Sequence, residues 1–184
     1  MQQAPKPRLG KLVKKYEGIL FSIYQRNVFF GKEKRVFEYC QRPTSVSVLA
    51  FDEKGRLLMI HEYRHGYKKN VWFLPGGRHD KHTDTPKKAA IRELREETGY
   101  TAKDIKLLHK KSPSNTLMWD IYIYVAKNLE WKPLESDDLE RIRVEFVPLS
   151  RAVKMAKSGE IENEFIAYNI IRFDYMKRNG QFSW

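Results

Sequence analysis

The sequence predicts an α/β protein with a small antiparallel β extension at its N-terminus. Strand-like runs alternate with segments of helical periodicity after residue 43, whereas the first 42 residues contain short β-rich runs. The 184 residues suffice for one compact domain with a small appendage, and 41% hydrophobic residues indicate a folded chain. We therefore expect two regions, residues 1–42 and residues 43–184.

The first region is predicted to be a tail followed by a β unit. Residues 1–10 contain two prolines and little apolar content, which favours a loose tail. From Tyr16 to Tyr39, β-rich runs flank the turn-like sequence GKEK, which predicts a small antiparallel sheet. The pair Arg42-Pro43 marks its boundary with the main domain.

The main domain is predicted to mix strands and helices. Residues 44–51 and 56–63 flank the turn-like sequence DEKG, which predicts a β-hairpin. Thr85 and Pro86 indicate the start of a helix at about 86–98, and Gly99 indicates its end. Further strands are predicted at 105–110, 119–126 and 143–147, and helices at 150–157, capped by Ser150, and at 162–177.

Charge and composition exclude several classes of protein. No apolar run approaches the roughly 20 residues needed to cross a bilayer, so we expect a cytoplasmic protein without a membrane partner. The single cysteine, Cys40, excludes an intramolecular disulfide. The formal net charge is +12, which favours an anionic partner. Nucleic acid is one such partner, but lysines on a β unit also keep sheet edges soluble, and no nucleic-acid motif accompanies them.

Three carboxylates are predicted to share one face of the helix at 86–98. At 3.6 residues per turn, Glu93, Glu96 and Glu97 project within about a third of a turn of one another, beside the apolar stripe that includes Leu94. Carboxylate oxygens are the ligands that Mg²⁺ and Mn²⁺ prefer. The alternative is a solvated acidic face in which Arg92 pairs with Glu96, four residues on.

The stretch from Gly77 to Tyr100 resembles the Nudix box, written G-x5-E-x7-R-E-U-x-E-E-x-G-U with U apolar. Its second half matches position by position, whereas six residues separate Gly77 from its acid, which is Asp84 and not glutamate. The resemblance implies a Nudix-type α/β/α sandwich with a mixed sheet. It also implies that Mg²⁺, or Mn²⁺, is held by Glu93, Glu96, Glu97 and Gly77, that Glu96 serves catalysis, and that Arg92 orients the carboxylates.

Beyond the box, the chain resembles the ADP-ribose pyrophosphatase branch of that family. The matching features are the N-terminal β unit, HEYRH at 61–65, LPGG at 74–77, SP at 112–113 and the acidic run ESDDLERIRV at 135–144. The resemblance implies a homodimer, and it implies that Arg64, Gly76 and Gly77 contact substrate; for Arg64 the alternative is a salt bridge with Glu62.

Two further sets of residues follow from this second resemblance. It implies that acids of the late loop, Asp138 and Glu140, serve as general base or as additional metal ligands, with Glu135 and Asp137 as alternatives. The other interpretation of this run is a polar hairpin loop without a role in the site. A nucleobase could stack on aromatic side chains of the β unit, of which the available ones are Phe21, Tyr24, Phe29, Phe30 and Phe37.

The leading functional hypothesis is a metal-dependent hydrolase. It would cut the diphosphate of ADP-ribose or another nucleotide sugar and release a nucleoside monophosphate and a sugar phosphate. One alternative is a pyrophosphohydrolase of nucleoside triphosphates or capped RNA, which the net charge of +12 favours. The other is a nucleotide-binding module without activity, in which Asp84 and the longer loop have disabled the site.

Overall fold

The computed structural model describes residues 5–79, 84–134 and 142–184. Its elements, in chain order, are β1 (Arg8–Glu17), β2 (Ser22–Phe30), β3 (Glu33–Gln41), β4 (Ser45–Ala50), β5 (Arg56–Arg64), β6 (Lys69–Phe73), α1 (Pro86–Thr98), β7 (Tyr100–Lys111), β8 (Leu117–Met118), β9 (Ile121–Trp131), β10 (Arg143–Pro148), α2 (Leu149–Ser158) and α3 (Glu164–Arg178). The chain divides into two compact units, one formed by Met1–Thr44 with Ser112–Asp120 and the other by Ser45–Lys111 with Ile121–Trp184.

The first unit contains a four-stranded sheet in the order β1-β2-β3-β8. Strands β1, β2 and β3 pair antiparallel, and β8 adds to β3 in parallel. The predicted antiparallel unit is therefore present, but the predicted tail over residues 1–10 is wrong from Arg8 onward. Arg8 opens β1 opposite Phe29, and its guanidinium lies 3.8 Å from the centre of that ring. Backbone pairing with β2 thus extends the sheet through residues whose own sequence has little β character.

The second unit contains two three-stranded sheets, in the orders β10-β5-β6 and β4-β9-β7. The predicted hairpin of residues 44–51 and 56–63 is wrong, because β4 pairs in parallel with β9 and β5 pairs with β10 and β6. Only an isolated bridge, Phe51 to Leu57, links the two segments directly. Strand β4 lies at the edge of its sheet, and all of its residues except Ser47 are buried.

Helices α1 and α3 cover opposite faces of the β4-β9-β7 sheet. Ala90 and Leu94 of α1 pack in one core cluster with Val48 and Tyr124. On β7, His109 pairs with Ile123, the residue before Tyr124 and so on the other face, and its ring bonds Asn169 of α3 at 2.7 Å. This is the α/β/α layering that the sequence predicts.

The termini of the helices show which cap predictions hold. Helix α1 begins at Pro86, where the Thr85 hydroxyl accepts from the Lys88 amide at 3.2 Å, and ends before Gly99 at φ 74°, as predicted. The predicted Ser150 cap is wrong, because α2 begins one residue earlier, after Pro148, without a side-chain cap. In the described parts of the chain, no helix is both long and apolar enough to cross a membrane.

Candidate active site

The loop that leads into the candidate site runs along strand β4. The amide of Val48 donates to the Pro75 carbonyl and that of Val46 to the Gly77 carbonyl, both at 2.9 Å. Gly76 lies so close to this strand that a Cβ atom there would stand 2.2 Å from the Val46 carbonyl oxygen. Only glycine permits this approach. It leaves the Gly76 amide free to donate to Glu97 Oε2 of α1 at 2.8 Å.

Gly77 makes room for the carboxylate of Glu93. A Cβ atom at Gly77 would lie 2.1 Å from Glu93 Oε2, well inside the contact distance of two such atoms. The family resemblance implied that Gly77 binds the metal ion together with the three glutamates. The structure places Gly77 in direct contact with one of them, Glu93. The Gly77 carbonyl already accepts from Val46, and a carbonyl oxygen has a second lone pair.

Arg92 forms ion pairs with three acids near this site. Its Nη1 donates to Glu93 Oε1 at 2.7 Å and to Glu96 Oε2 at 2.8 Å, while its Nε lies 3.4 Å from Asp84 Oδ2. The Nη2 atom donates to the Arg78 carbonyl at 3.2 Å. Asp84 therefore reaches Arg92 despite its shorter side chain and the extra loop residue. A single guanidinium thus contacts two residues of the loop that precedes α1, Arg78 and Asp84.

The carboxyl of Glu97 has a strongly perturbed pKa. Burial raises the pKa of its carboxyl to about 8, and the amide of Gly76 and the charge of Arg64 oppose this rise, whereas the charges of Glu93 and Glu62 add to it. At neutral pH the carboxyl is therefore mostly protonated in the absence of a cation. A cation would favour its ionised form, as it does for other buried carboxylates.

The β5 strand brings Glu62 and Arg64 into the electrostatic environment of Glu97. The two residues form an ion pair between Glu62 Oε1 and Arg64 Nη2, and the Arg64 guanidinium lies 4.7 Å from the centre of the Phe73 ring. Only 16% of the Glu62 side chain is exposed, against 41% for Arg64. The salt bridge that the sequence offered as the alternative for Arg64 is thus present.

Sequence analysis did not identify Glu62 as a residue of the site. The signal was available, because Glu62 and Arg64 are two apart on a strand and therefore share a face. The preceding residues of β5 from Leu57 to Ile60 are fully buried, so an acid directly beyond them is positioned near the core.

The predicted site residues fall into three groups. The first group lies around the loop that precedes α1 and the face of α1 that carries the carboxylates. Its members are Arg64, Gly76, Gly77, Arg92, Glu93, Glu96 and Glu97. The candidate general bases, Asp138 and Glu140 with Glu135 and Asp137, lie outside the described residues. The aromatic candidates for base stacking belong to the first unit, where the rings of Phe30 and Phe37 lie 6.4 Å apart and are partly exposed.

The donor set of the site suits a hard divalent cation, because carboxylate and carbonyl oxygens are what Mg²⁺ binds in proteins. In the described residues, no three acidic, imidazole or thiol groups are already arranged around one metal position. Arg92 pairs with one oxygen of Glu93 and one of Glu96 in this arrangement. The residues present fit such an ion by their chemistry and by the space that Gly77 leaves for Glu93.

Comparisons with known proteins agree on one family. The family model described as the NUDIX domain matches residues 41–168. The chain is 31% identical over 160 residues to an ADP-ribose pyrophosphatase of Bacillus subtilis (strain 168). The aligned residues cover 84% of this chain and 85% of that protein. It is 27% identical over 130 residues to an ADP-ribose pyrophosphatase of Mycobacterium tuberculosis (strain ATCC 25618 / H37Rv), covering 69% of this chain and 63% of that one.

A crystal structure of an ADP compounds hydrolase shares the fold. It superposes with a TM-score of 0.80 over 99% of this chain and 100% of its own, at 24% identity. The mixed α/β fold predicted from the sequence is confirmed by this likeness.

Proposed function

Because the chain belongs to the Nudix family and is a pyrophosphatase, we propose that it hydrolyses the diphosphate bond of ADP-ribose or a related nucleotide sugar with Mg²⁺. The family and the branch predicted from the sequence are confirmed. The substrate, the identity of the metal ion, the homodimer and the cytoplasmic location stay predictions.

One observation carries the proposal. Arg92 holds Glu93 and Glu96 together through a single Nη1 atom, directly beside the loop whose Gly76 amide binds Glu97. Like charges so close together are unfavourable unless positive charge lies among them. The pairing of Arg92 with Glu96, which a solvated face of α1 also predicts, is present, but such a face would not require two glycines in contact with a strand and a carboxylate.

Each residue of the site then has a role in the proposed reaction. Glu93, Glu96 and Glu97, with the Gly77 carbonyl, would hold the divalent ion, and Arg92 fixes the orientation of the carboxylates. When bound, the ion supplies positive charge that neutralises phosphate oxygens and favours ionisation of the attacking water.

Positioning of the substrate and transfer of the proton fall to other side chains. Arg64, already oriented on β5, would contact a phosphate of the substrate through donors that Glu62 does not occupy. The proton of the attacking water would pass to Asp138 or Glu140, the acids that the family resemblance implies.

Product analysis tests the proposal. The protein should convert ADP-ribose to AMP and ribose 5-phosphate when Mg²⁺ is added, and the reaction should stop when EDTA is in excess. Mass spectrometry of products formed in ¹⁸O-labelled water would show which phosphorus is attacked. Release of pyrophosphate from a nucleoside triphosphate, with no turnover of ADP-ribose or of other nucleotide sugars, would contradict the proposal.

A charge-neutral variant separates catalysis from binding alone. Glu96→Gln should lower kcat by roughly 10²-fold or more if the native carboxylate serves the reaction. Glu160→Gln is the matched control, because Glu160 is exposed between α2 and α3 and outside the site. Equal activity of the two variants would reject the assigned site.

A further inference from the structure

The ion pair of Glu62 and Arg64 is the feature that the proposed reaction leaves unexplained. Arg64 could contact a phosphate without any acid beside it, and a carboxylate next to a phosphate site repels the substrate. Yet Glu62 is the better buried partner of the pair, with 16% of its side chain exposed against 41% for Arg64. Burial of an acid beside a site for anions requires a function that offsets its electrostatic cost.

From this arrangement we infer that Glu62 is a positioning residue, which holds the guanidinium of Arg64 against Phe73 so that its remaining donors meet a substrate phosphate. The inference rests on the proposed function and adds a residue to it. Glu62 does not touch the phosphate and acts through Arg64.

Two contacts restrict the Arg64 guanidinium. Glu62 holds it by Nη2, and the ring of Phe73 lies 4.7 Å from its central carbon. An arginine side chain otherwise has many rotamers, and its immobilisation on binding costs affinity. A guanidinium that is already ordered loses less freedom when it binds an anion.

The donors left by Glu62 are placed for a ligand. Among the described residues, Arg64 Nε is buried and has no hydrogen-bond partner. The Arg64 side chain is nevertheless 41% exposed, so an oxygen of a bound phosphate would meet its Nη donors and not the enclosed Nε. Arg64 also lies near enough to Glu97 for their charges to interact, so a phosphate on Arg64 would lie beside the carboxylates of α1.

The backbone supports the same geometry. Glu62 pairs with Val71, and Arg64 pairs with Lys69, on the neighbouring strand β6. Residues two apart on one strand point to the same side of the sheet, so the pair is set by the register of β5 and not by a mobile loop. The rigid strand thus fixes Glu62, and Glu62 fixes Arg64.

A double-mutant cycle tests the inference. The kinetics of ADP-ribose hydrolysis are measured for the wild type, Glu62→Ala, Glu62→Gln, Arg64→Ala and the double variant Glu62→Ala/Arg64→Ala. We expect Glu62→Ala to raise KM about tenfold with little change in kcat, which is the upper end of the cost of ordering one side chain. Glu62→Gln keeps an acceptor for Arg64 and should retain most of the wild-type KM.

The decisive comparison is the double variant. Removal of Glu62 should not raise KM further once Arg64 is gone, because Glu62 assists substrate binding only through that residue. Asp174→Ala is the matched control, since Asp174 also has a little-exposed carboxylate, 15%, in an ion pair with a single arginine, Arg178 of α3. Additive effects of the two substitutions, an unchanged KM for Glu62→Ala, or no rescue by Glu62→Gln would each overturn the inference.

A spectroscopic readout keeps this test independent of the proposed function. The Nη2 proton resonances of Arg64 are assigned in a ¹⁵N spectrum by their loss in Arg64→Lys. They should exchange slowly with solvent in the wild type, where Glu62 pairs with Nη2, and fast in Glu62→Ala. If the wild type does not hydrolyse ADP-ribose, the proposed function fails, and these resonances still decide the role of Glu62. Slow exchange that persists in Glu62→Ala would refute it.

Discussion

Replacement of Glu97 with glutamine should stabilise the metal-free protein at pH 8 and abolish its proposed activity. Glutamine has nearly the same shape and keeps an oxygen that can accept from the Gly76 amide, a bond of 2.8 Å in the native chain. It removes only the charge, and with it the cost of ionising a buried carboxyl.

The size of the effect follows from the carboxyl pKa. Burial raises it from 4.5 to about 8. The folded state therefore keeps a proton that the unfolded state releases between these values, so stability falls as the pH rises through this window. Each tenfold change in acidity corresponds to about 1.4 kcal/mol, and full ionisation of Glu97 thus costs at most roughly 5 kcal/mol. Between pH 6 and pH 8 the loss is about 2 kcal/mol, or about 4–8 °C in Tm.

Thermal unfolding in EDTA measures this loss. The Tm of Glu97→Gln should exceed that of the wild type, and the difference should grow by about 4–8 °C when the pH is raised from 6 to 8. Added Mg²⁺ should stabilise the wild type more than the variant, because only the wild type offers the ionised ligand. A Tm for Glu97→Gln that follows the wild type in parallel across this range would refute the assigned ionisation.

Two further substitutions test the geometry around α1. Gly77→Ala should lower Mg²⁺ affinity about tenfold or more, because its Cβ would stand 2.1 Å from Glu93 Oε2, whereas Gly66→Ala, with no atom within 4 Å, should leave calorimetric Mg²⁺ binding unchanged. Equal affinities would contradict the contact. Arg92→Lys should lower kcat by about 10–100-fold with a preserved fold, because one ammonium cannot hold Glu93 and Glu96 and at the same time reach Asp84 and the Arg78 carbonyl; full activity in steady-state assays would show that charge alone suffices.

Local signals made helix α1 predictable. Thr85, Pro86 and Gly99 each act through the backbone of their own neighbours, so their effect is visible in a short stretch of sequence. The same is true of the acidic face, because the spacing of residues on a helix fixes which side chains lie together. The contact of Arg92 with Glu96, four residues on, follows from that spacing, whereas the contact with the adjacent Glu93 does not.

Long-range pairing was less predictable. The segments around Asp52 contain a turn, in which the Asp52 carboxylate accepts from the Arg56 amide at 2.8 Å, yet the strands on either side enter different sheets. A turn signal gives the chain reversal and not the partner of each strand, which depends on β9 and β10 more than 60 residues later. For Glu62, the spacing on β5 shows that it shares a face with Arg64, but its proximity to Glu97 depends on long-range packing.

The acids of α1 differ in what keeps them in place before a cation binds. Glu93 and Glu96 both pair with the guanidinium of Arg92. Glu97 instead accepts a hydrogen bond from the neutral amide of Gly76, and its pKa is about 8. Entry of a divalent ion that ionises Glu97 at pH 7 must therefore expel roughly 0.9 proton from this carboxyl. Calorimetry of Mg²⁺ binding in buffers of different ionisation enthalpy measures this number. A value near zero in the wild type, or the same value in Glu97→Gln, would show that the cation does not bind at Glu97.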